Sequence, residues 1–305
     1  MEDEQFEGFD DLGNVKIEDN IDNTPITDNS IEDLSQDNNI DQPPTPRNQI
    51  HVHINDQKTP IVLLFGAQQS GKTMTLVRLS NYLRPLGYKI EIEKNFCTTA
   101  WEYKVNSDNF NQMLSTPKPL KGTNYNDFLF IRISDKFGNP ICYILEAAGE
   151  DYFSKQSDPR RSFPNYMQSV FNTPNRKIWL FITGPNWEVD HGVKQNYVDR
   201  IRFCKDQSTG KKDKFIILYN KIDKTSLISG GKINTKVAET QCGNEYSGIF
   251  DIFTEDVILF GKTKKYKFVP FSTGSYDEYG GYTRSRDEFP SGLWKSIQES
   301  IKPTL

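Results

Sequence analysis

The sequence predicts an α/β fold, a three-layer sandwich whose mostly parallel six-stranded sheet carries helices on both faces and one antiparallel edge strand. Three observations predict it. Short apolar runs such as KIWLFIT (177–183) and FIILYN (215–220) alternate with stretches of helical spacing, the pattern of strands buried on both faces. FLFIRISDKFGNPICYILE (128–146) reads as two strands joined by a tight turn, which supplies the antiparallel strand. GAQQSGKT (66–73) matches G-x-x-x-x-G-K-[ST], directly behind the β-branched run Ile61-Val62-Leu63-Leu64-Phe65 and ahead of a helical stretch.

Taken in order, residues 1–58 hold 15 acidic and 3 basic side chains, few aromatics and many Asn, Gln and Pro. Such a segment cannot bury enough apolar surface to offset chain entropy, so it is expected to be a disordered acidic arm. Phe6, Phe9, Ile17, Ile21, Ile31, Leu34 and Ile40 interrupt it, and KIEDNID (16–22) faintly echoes SIEDLSQDNNID (30–41). A solubilising arm, a short docking segment and an arm lying on the basic body all remain open. PPTP (43–46) fits an extended linker. The domain proper is expected over 59–305, where 34 basic residues exceed 26 acidic ones.

Strand 60–65 feeds the Gly-rich turn, and Met74, Leu76, Val77, Leu79, Tyr82 and Leu83 set a helix over 72–84. A first insert, 85–127, holds signals for a strand at 88–93 and a short helix at 107–114. Strands 128–134 and 140–146 flank the turn Asp135-Lys136-Phe137-Gly138-Asn139. A mobile-looking polar stretch, 147–163, leads to a helix at 164–172. Strand 177–183, helix 193–206 and strand 215–220 follow. A second insert, 224–264, has helical signals at 234–242 and 245–253; strand 267–271 and helix 288–303 close the chain.

Several classes are set aside. No apolar run approaches the ~20 residues that span a bilayer. The acidic start MEDEQFEG is not a signal peptide, and Glu2 excludes N-myristoylation. The four cysteines, Cys97, Cys142, Cys204 and Cys242, show neither close pairing nor metal spacing. This is the profile of a cytoplasmic protein. His51 and His53 alone do not make a zinc site, and His191 implies no nucleophile. SGGK (229–232) and GKT (261–263) lack the first glycine of the loop pattern. The lysine clusters at 211–214 and 262–267 lack interleaved aromatics apart from Tyr266, so solvated faces are expected rather than nucleic-acid contacts.

The Gly-rich loop has a clear chemistry. Gly66 and Gly71 let the backbone curl so that the N–H groups of Gln69, Ser70 and their neighbours point at phosphate oxygens. The start of the helix, through Met74, adds free N–H groups and a positive dipole end. Lys72 supplies a mobile charge for the outer phosphates, and the Thr73 hydroxyl suits Mg²⁺.

Three more sites stand at strand ends, in order: LEAAGE (145–150), NKID (220–223) and FSTGS (271–275). With the first loop, they make residues 59–303 resemble the Ras-like GTPases of the translation-factor-related phosphate-loop class. The resemblance implies a P-loop NTPase fold that binds GTP or GDP with Mg²⁺. In that family a D-x-x-G acid holds Mg²⁺ through water while the glycine N–H meets the γ-phosphate. Here Glu146 stands for the Asp and Gly149 matches. N-K-x-D reads guanine: the Asp223 carboxylate can accept from guanine N1–H and the N2 amine, donors that adenine lacks, and such a site discriminates by about 10⁴-fold. Asn220 is expected to tie the base side to the phosphate loop, and the Lys221 stem to pack over the base. FSTGS resembles the S-A-K loop that meets the base, with Ser272 matching and Thr273 and Gly274 replacing Ala and Lys.

The Mg²⁺-binding threonine of the first switch segment is expected shortly before residue 128: Thr123 fits best, with Thr98, Thr99 and Thr116 as alternatives. Glu150 replaces the Gln that often orients the attacking water, so a carboxylate faces phosphate charge and hydrolysis is expected to be slow. Gln68 stands where small residues are common and either crowds an incoming arginine finger or positions the water itself. Arg160 and Arg161 read as solvated arginines, an internal finger being the sharper alternative. The implied function is a GTP-binding molecular switch with slow Mg²⁺-dependent hydrolysis, signalling to an effector or a second GTPase. Its large inserts make it look more similar to bacterial GTPases that work with a partner GTPase or a membrane-associated assembly. The alternatives are a nucleotide-stabilised scaffold and an ATP-using phosphate-loop protein.

Overall fold

The computed structural model describes residues 43–115, 128–185, 187–208, 212–229, 232–257, 261–276 and 282–302. In chain order the strands are β1 (Ile61–Phe65), β2 (Lys89–Ile92), β3 (Phe128–Ser134), β4 (Pro140–Ala147), β5 (Lys177–Thr183), β6 (Lys214–Tyr219), β7 (Ile228–Ser229), β8 (Lys232–Ile233), β9 (Thr254–Val257), β10 (Gly261–Lys264), β11 (Tyr266–Pro270), β12 (Gly274–Tyr276) and β13 (Tyr282–Arg284). The helices are α1 (Lys72–Leu83), α2 (Trp101–Ser115), α3 (Gly149–Tyr152), α4 (Asn165–Phe171), α5 (His191–Gln207), α6 (Thr235–Glu245) and α7 (Glu288–Ile301).

The central sheet has seven strands, not six, in the order β11-β6-β5-β1-β4-β3-β2. β4, β1, β5, β6 and β11 run parallel. The strand of opposite direction, β3, is not at the edge as expected, because β2 pairs antiparallel to it on its outer side. β2 is only Lys-Ile-Glu-Ile, alternately exposed and half-buried. It is held to β3 by an antiparallel ladder, across which Arg132 pairs with Glu91 at 2.9 Å, a cross-strand partner that local pattern does not reveal. Every residue of β1 and β5 is buried, so both faces of the sheet are covered. Phe65 sits at the centre, 4.8 Å from Tyr152, 5.2 Å from Phe181 and 5.8 Å from Tyr197 of α5.

Three further expectations change. α2 begins at Trp101 rather than 107. Its Asn- and Ser-rich sequence has modest intrinsic helicity, and burial of Tyr103, Phe110, Met113 and Leu114 carries it. Residues 245–253 are not a second helix: α6 ends at Glu245, and turns and a 3₁₀ segment lead into the β9–β10 hairpin. Residues 43–58, read as part of the arm, belong to the described body. Ile50 is buried, Val52 bridges Cys97, and His53 N–H donates to the Phe96 carbonyl at 2.8 Å. Residues 1–42 lie outside the described residues. No helix among the described residues is long and apolar enough to cross a membrane.

Candidate functional site

The loops that leave β1, β4, β6 and β11 meet at one edge of the sheet, the edge at which these parallel strands end. Between β1 and α1 the chain turns through Gln69 (φ 61°) and Gly71 (φ 92°), both left-handed. The Ser70 N–H closes the turn onto the Ala67 carbonyl at 3.2 Å. Gly71 is required twice over: its φ disfavours a side chain, and a Cβ would lie 2.6 Å from Asn220 Nδ2.

Asn220 is fully buried, and its Nδ2 donates to the Ser70 carbonyl at 3.0 Å. Lys221, itself left-handed at φ 60°, reaches back so that Nζ donates to the Gln69 carbonyl at 2.7 Å. The glycine-rich loop and the NKID turn are thereby stitched together. Asp223 follows in a 3₁₀ turn, and its Oδ1 accepts from Ser272 Oγ at 2.6 Å. The Ile222 N–H donates to the Phe271 carbonyl at 3.2 Å. Ser272 and Thr273 are buried, and Tyr282 donates to the Thr273 carbonyl.

Lys72, first residue of α1, is buried, with Nζ donating to the Gly66 and Ala67 carbonyls at 3.2 Å each. Burial pushes its pKa below the ordinary lysine value, while Glu146, Glu150 and Asp151 pull it back up. The Thr73 hydroxyl donates to Glu146 Oε1, and Met74 is half-buried in the first turn of the helix. Thr73 and Glu146 place a hydroxyl and a carboxylate side by side, hard oxygen donors of the kind Mg²⁺ takes. Among the described residues no group of three or more His, Cys, Asp or Glu side chains could hold a metal. Such a two-donor set suits an ion whose remaining positions go to water and phosphate.

The turn after β4 lies against the loop. A Cβ on Gly149 would stand 2.3 Å from the Gln68 backbone nitrogen, so the two main chains touch. Glu150 is half-buried, and the Gln68 side chain is exposed. Asp151 is fully buried; Tyr166 donates to Oδ2 at 2.6 Å and Arg47 pairs with Oδ1 at 2.6 Å. Desolvation raises the Asp151 pKa, opposed by Tyr166, Arg47 and Arg161. The stretch 147–163, expected to be mobile, is held from beneath. Arg200 Nε donates to the Tyr152 carbonyl at 2.8 Å and Nη1 to the Pro159 carbonyl at 2.9 Å, and its guanidinium lies 3.8 Å from the Phe163 ring. Arg161 is spent on the Glu150 carbonyl, and Arg160 is exposed.

Thr123 and Thr116 lie outside the described residues; Thr99 Oγ1 accepts from the His51 N–H at 2.9 Å. Sequence reasoning missed three supports. Trp187 Nε1 donates to the Gln68 carbonyl at 3.4 Å. Buried Arg78 on α1 donates to the Ser285 carbonyl at 2.7 Å and pairs with Asp287 at 2.5 Å, bracing the chain beyond the Ser272 loop. Arg47 is the third. Their partners lie far off in sequence, so no local motif marks them.

Neither a protein-family model nor a curated protein matches the sequence. Among solved structures the chain is similar to the crystal structure of the S. cerevisiae Ski7 GTPase-like domain, bound to GTP, with a TM-score of 0.39 and 16% identity. The match covers 81% of this chain and 51% of that one, so the chain spans about half the length of that structure.

Proposed function

We propose that the protein is a cytoplasmic guanine-nucleotide-binding switch of the Ras-like type with slow, Mg²⁺-dependent GTP hydrolysis. The observation that carries this reading is the stitching of the Gly66–Thr73 loop to Asn220 and Lys221, with Asp223 oriented by Ser272 beside it. A polyphosphate lying along the loop brings its base to Asp223. Gly66, Gln69, Ser70, Gly71, Lys72, Thr73 and Met74 then meet phosphate, while Asn220, Lys221, Asp223, Ser272 and Thr273 meet the base. Ser272 engages one Asp223 oxygen, which aims the carboxylate as an acceptor for the guanine N1–H and N2 amine. Adenine offers neither donor at that edge, and the unpaired acceptor disfavours it.

Lys72 already lies among carbonyls of the loop, so phosphate oxygens are better partners for its ammonium than the groups it now holds. Thr73 and Glu146 would hold Mg²⁺, which would neutralise charge on the outer phosphates. The Gly149 N–H would meet the γ-phosphate, a reading supported by the close approach of its backbone to Gln68 of the phosphate loop. Glu150 follows it, and a carboxylate facing phosphate charge orients water poorly, which supports slow turnover. Output passes to an effector or a second GTPase through the Gly149 turn and the segment containing Thr123.

The test is the nucleotide that co-purifies, released by denaturation and identified by mass spectrometry. GDP or GTP is expected, with GDP and not ADP competing for rebinding. Co-purified ADP or ATP, or equal competition, would move the protein to the ATP-using class.

A further inference from the structure

Residues 43–50 run from α2 to the Gly149–Asp151 turn, one of the segments through which the proposed switch senses phosphate. At one anchor the Thr45 N–H and Oγ1 donate to the two carboxylate oxygens of Glu102 at 2.6 and 2.7 Å. Glu102 is 6% exposed and sits in the first turn of α2. That helix leads directly into 116–127, where the first-switch threonine is expected. At the other anchor Arg47 pairs with Asp151 at 2.6 Å. Asp151 is 0% exposed and lies two residues after Gly149, whose backbone touches Gln68 of the phosphate loop. Downstream, Ile50 enters the core and His51 and His53 hydrogen-bond alongside 96–99, so the strap is fastened independently of Arg47.

A fully buried carboxylate is tolerated where cations and hydrogen bonds compensate it. Tyr166 supplies a hydrogen bond, and the field of Arg161 also reaches this group. Without Arg47 the carboxylate keeps the Tyr166 hydrogen bond and the Arg161 field but loses its ion pair, which favours protonation or displacement. Either response acts on a turn that begins two residues away. Thr45 and Arg47 are themselves two residues apart, so displacement at one anchor is felt at the other.

We propose that Arg47 is a positioning residue for the Gly149–Asp151 turn. The strap 43–50 thereby couples that turn to α2, and a seated strap and a bound γ-phosphate favour the same arrangement. The nucleotide half of this proposal rests on the guanine-nucleotide reading above. By reciprocal linkage, whatever lifts the strap lowers the preference for GTP over GDP.

The experiment compares the 305-residue parent with Arg47→Gln, Arg47→Lys and Thr45→Glu, the last placing a second carboxylate against Glu102. Hydrogen exchange in the nucleotide-free proteins reads the turn directly. Glu150–Phe153 amides are expected to exchange about tenfold faster in Arg47→Gln and Thr45→Glu, with β1 and β5 unchanged and most protection regained in Arg47→Lys. In parallel, affinities for a non-hydrolysable GTP analogue and for GDP are measured. The analogue is expected to lose about tenfold in Arg47→Gln while GDP holds, a coupling of ordinary size. Unchanged exchange at the turn, or acceleration spread equally over β1 and β5, would overturn the positioning role. Faster exchange with an unchanged analogue-to-GDP ratio would overturn the coupling. A parent that binds neither guanine nucleotide would defeat the proposed function, and the exchange comparison would then decide on Arg47 alone.

Discussion

Lys72 is a buried ammonium held by two carbonyls, with three carboxylates nearby, and under the proposed function this would make it a reporter of phosphate binding. Burial lowers its pKa in the free protein; phosphate oxygens would raise it. In the window between the two values the complex holds a proton that the free protein has lost. Binding is therefore accompanied by proton uptake there, and affinity falls as pH rises through the window. Calorimetric titration at alkaline pH in two buffers of different ionisation enthalpy is expected to show net uptake; zero or negative uptake would count against Lys72 as the phosphate contact. Under the proposed function Asp223 carries the base preference. Asp223→Asn is expected to weaken GTP at least about a hundredfold and to admit xanthosine nucleotides, whose C2 carbonyl accepts from the new amide. Full retention of GTP affinity in competition assays would remove this residue from the site.

At the scale of elements, the site is a contact between turns rather than a cleft. The Gly149 turn lies on the loop so closely that one methyl group has no room. Gly149→Ala is expected to push the two main chains apart, costing about 1–3 kcal/mol. Thermal unfolding followed by circular dichroism should show a lowered midpoint, and guanine-nucleotide affinity should fall with it; an unchanged midpoint would mean that the turn relaxes freely. The same packing explains how 147–163 is held despite its polar sequence: Arg200, from α5, donates to three carbonyls in the stretch. A sequence window sees polar side chains there, whereas the order comes from main-chain acceptors that meet a distant guanidinium.

For the whole molecule, five parallel strands place the ends of β1, β4, β6 and β11 at one edge, and this lets four short motifs far apart in sequence form one site. The body also extends further toward the N-terminus than its charge suggests. A chain starting at residue 59 loses the burial of Ile50, about 1.5–3 kcal/mol, together with both anchors of the strap. Denaturant titration should place it well below the parent, while a chain starting at residue 43 should match the parent if the composition of 1–42 has been read correctly. Equal stability of all three would show that the strap adds nothing to folding.

The four loop motifs and most strands of the sheet are legible in the sequence because they rest on short-range physics. Apolar runs select buried strands, Gly71 permits a left-handed turn, and Asn220 and Asp223 sit within three residues of each other at a strand end. What local pattern cannot carry is pairing across the chain. The seventh strand, the Arg78–Asp287 and Arg47–Asp151 ion pairs, and the seating of an arm-like segment depend on partners 41 to 209 residues away. A charged side chain reads as solvated until the fold brings a buried counter-charge to it, so tertiary structure alone decided which of these residues belong to the body and which support the site.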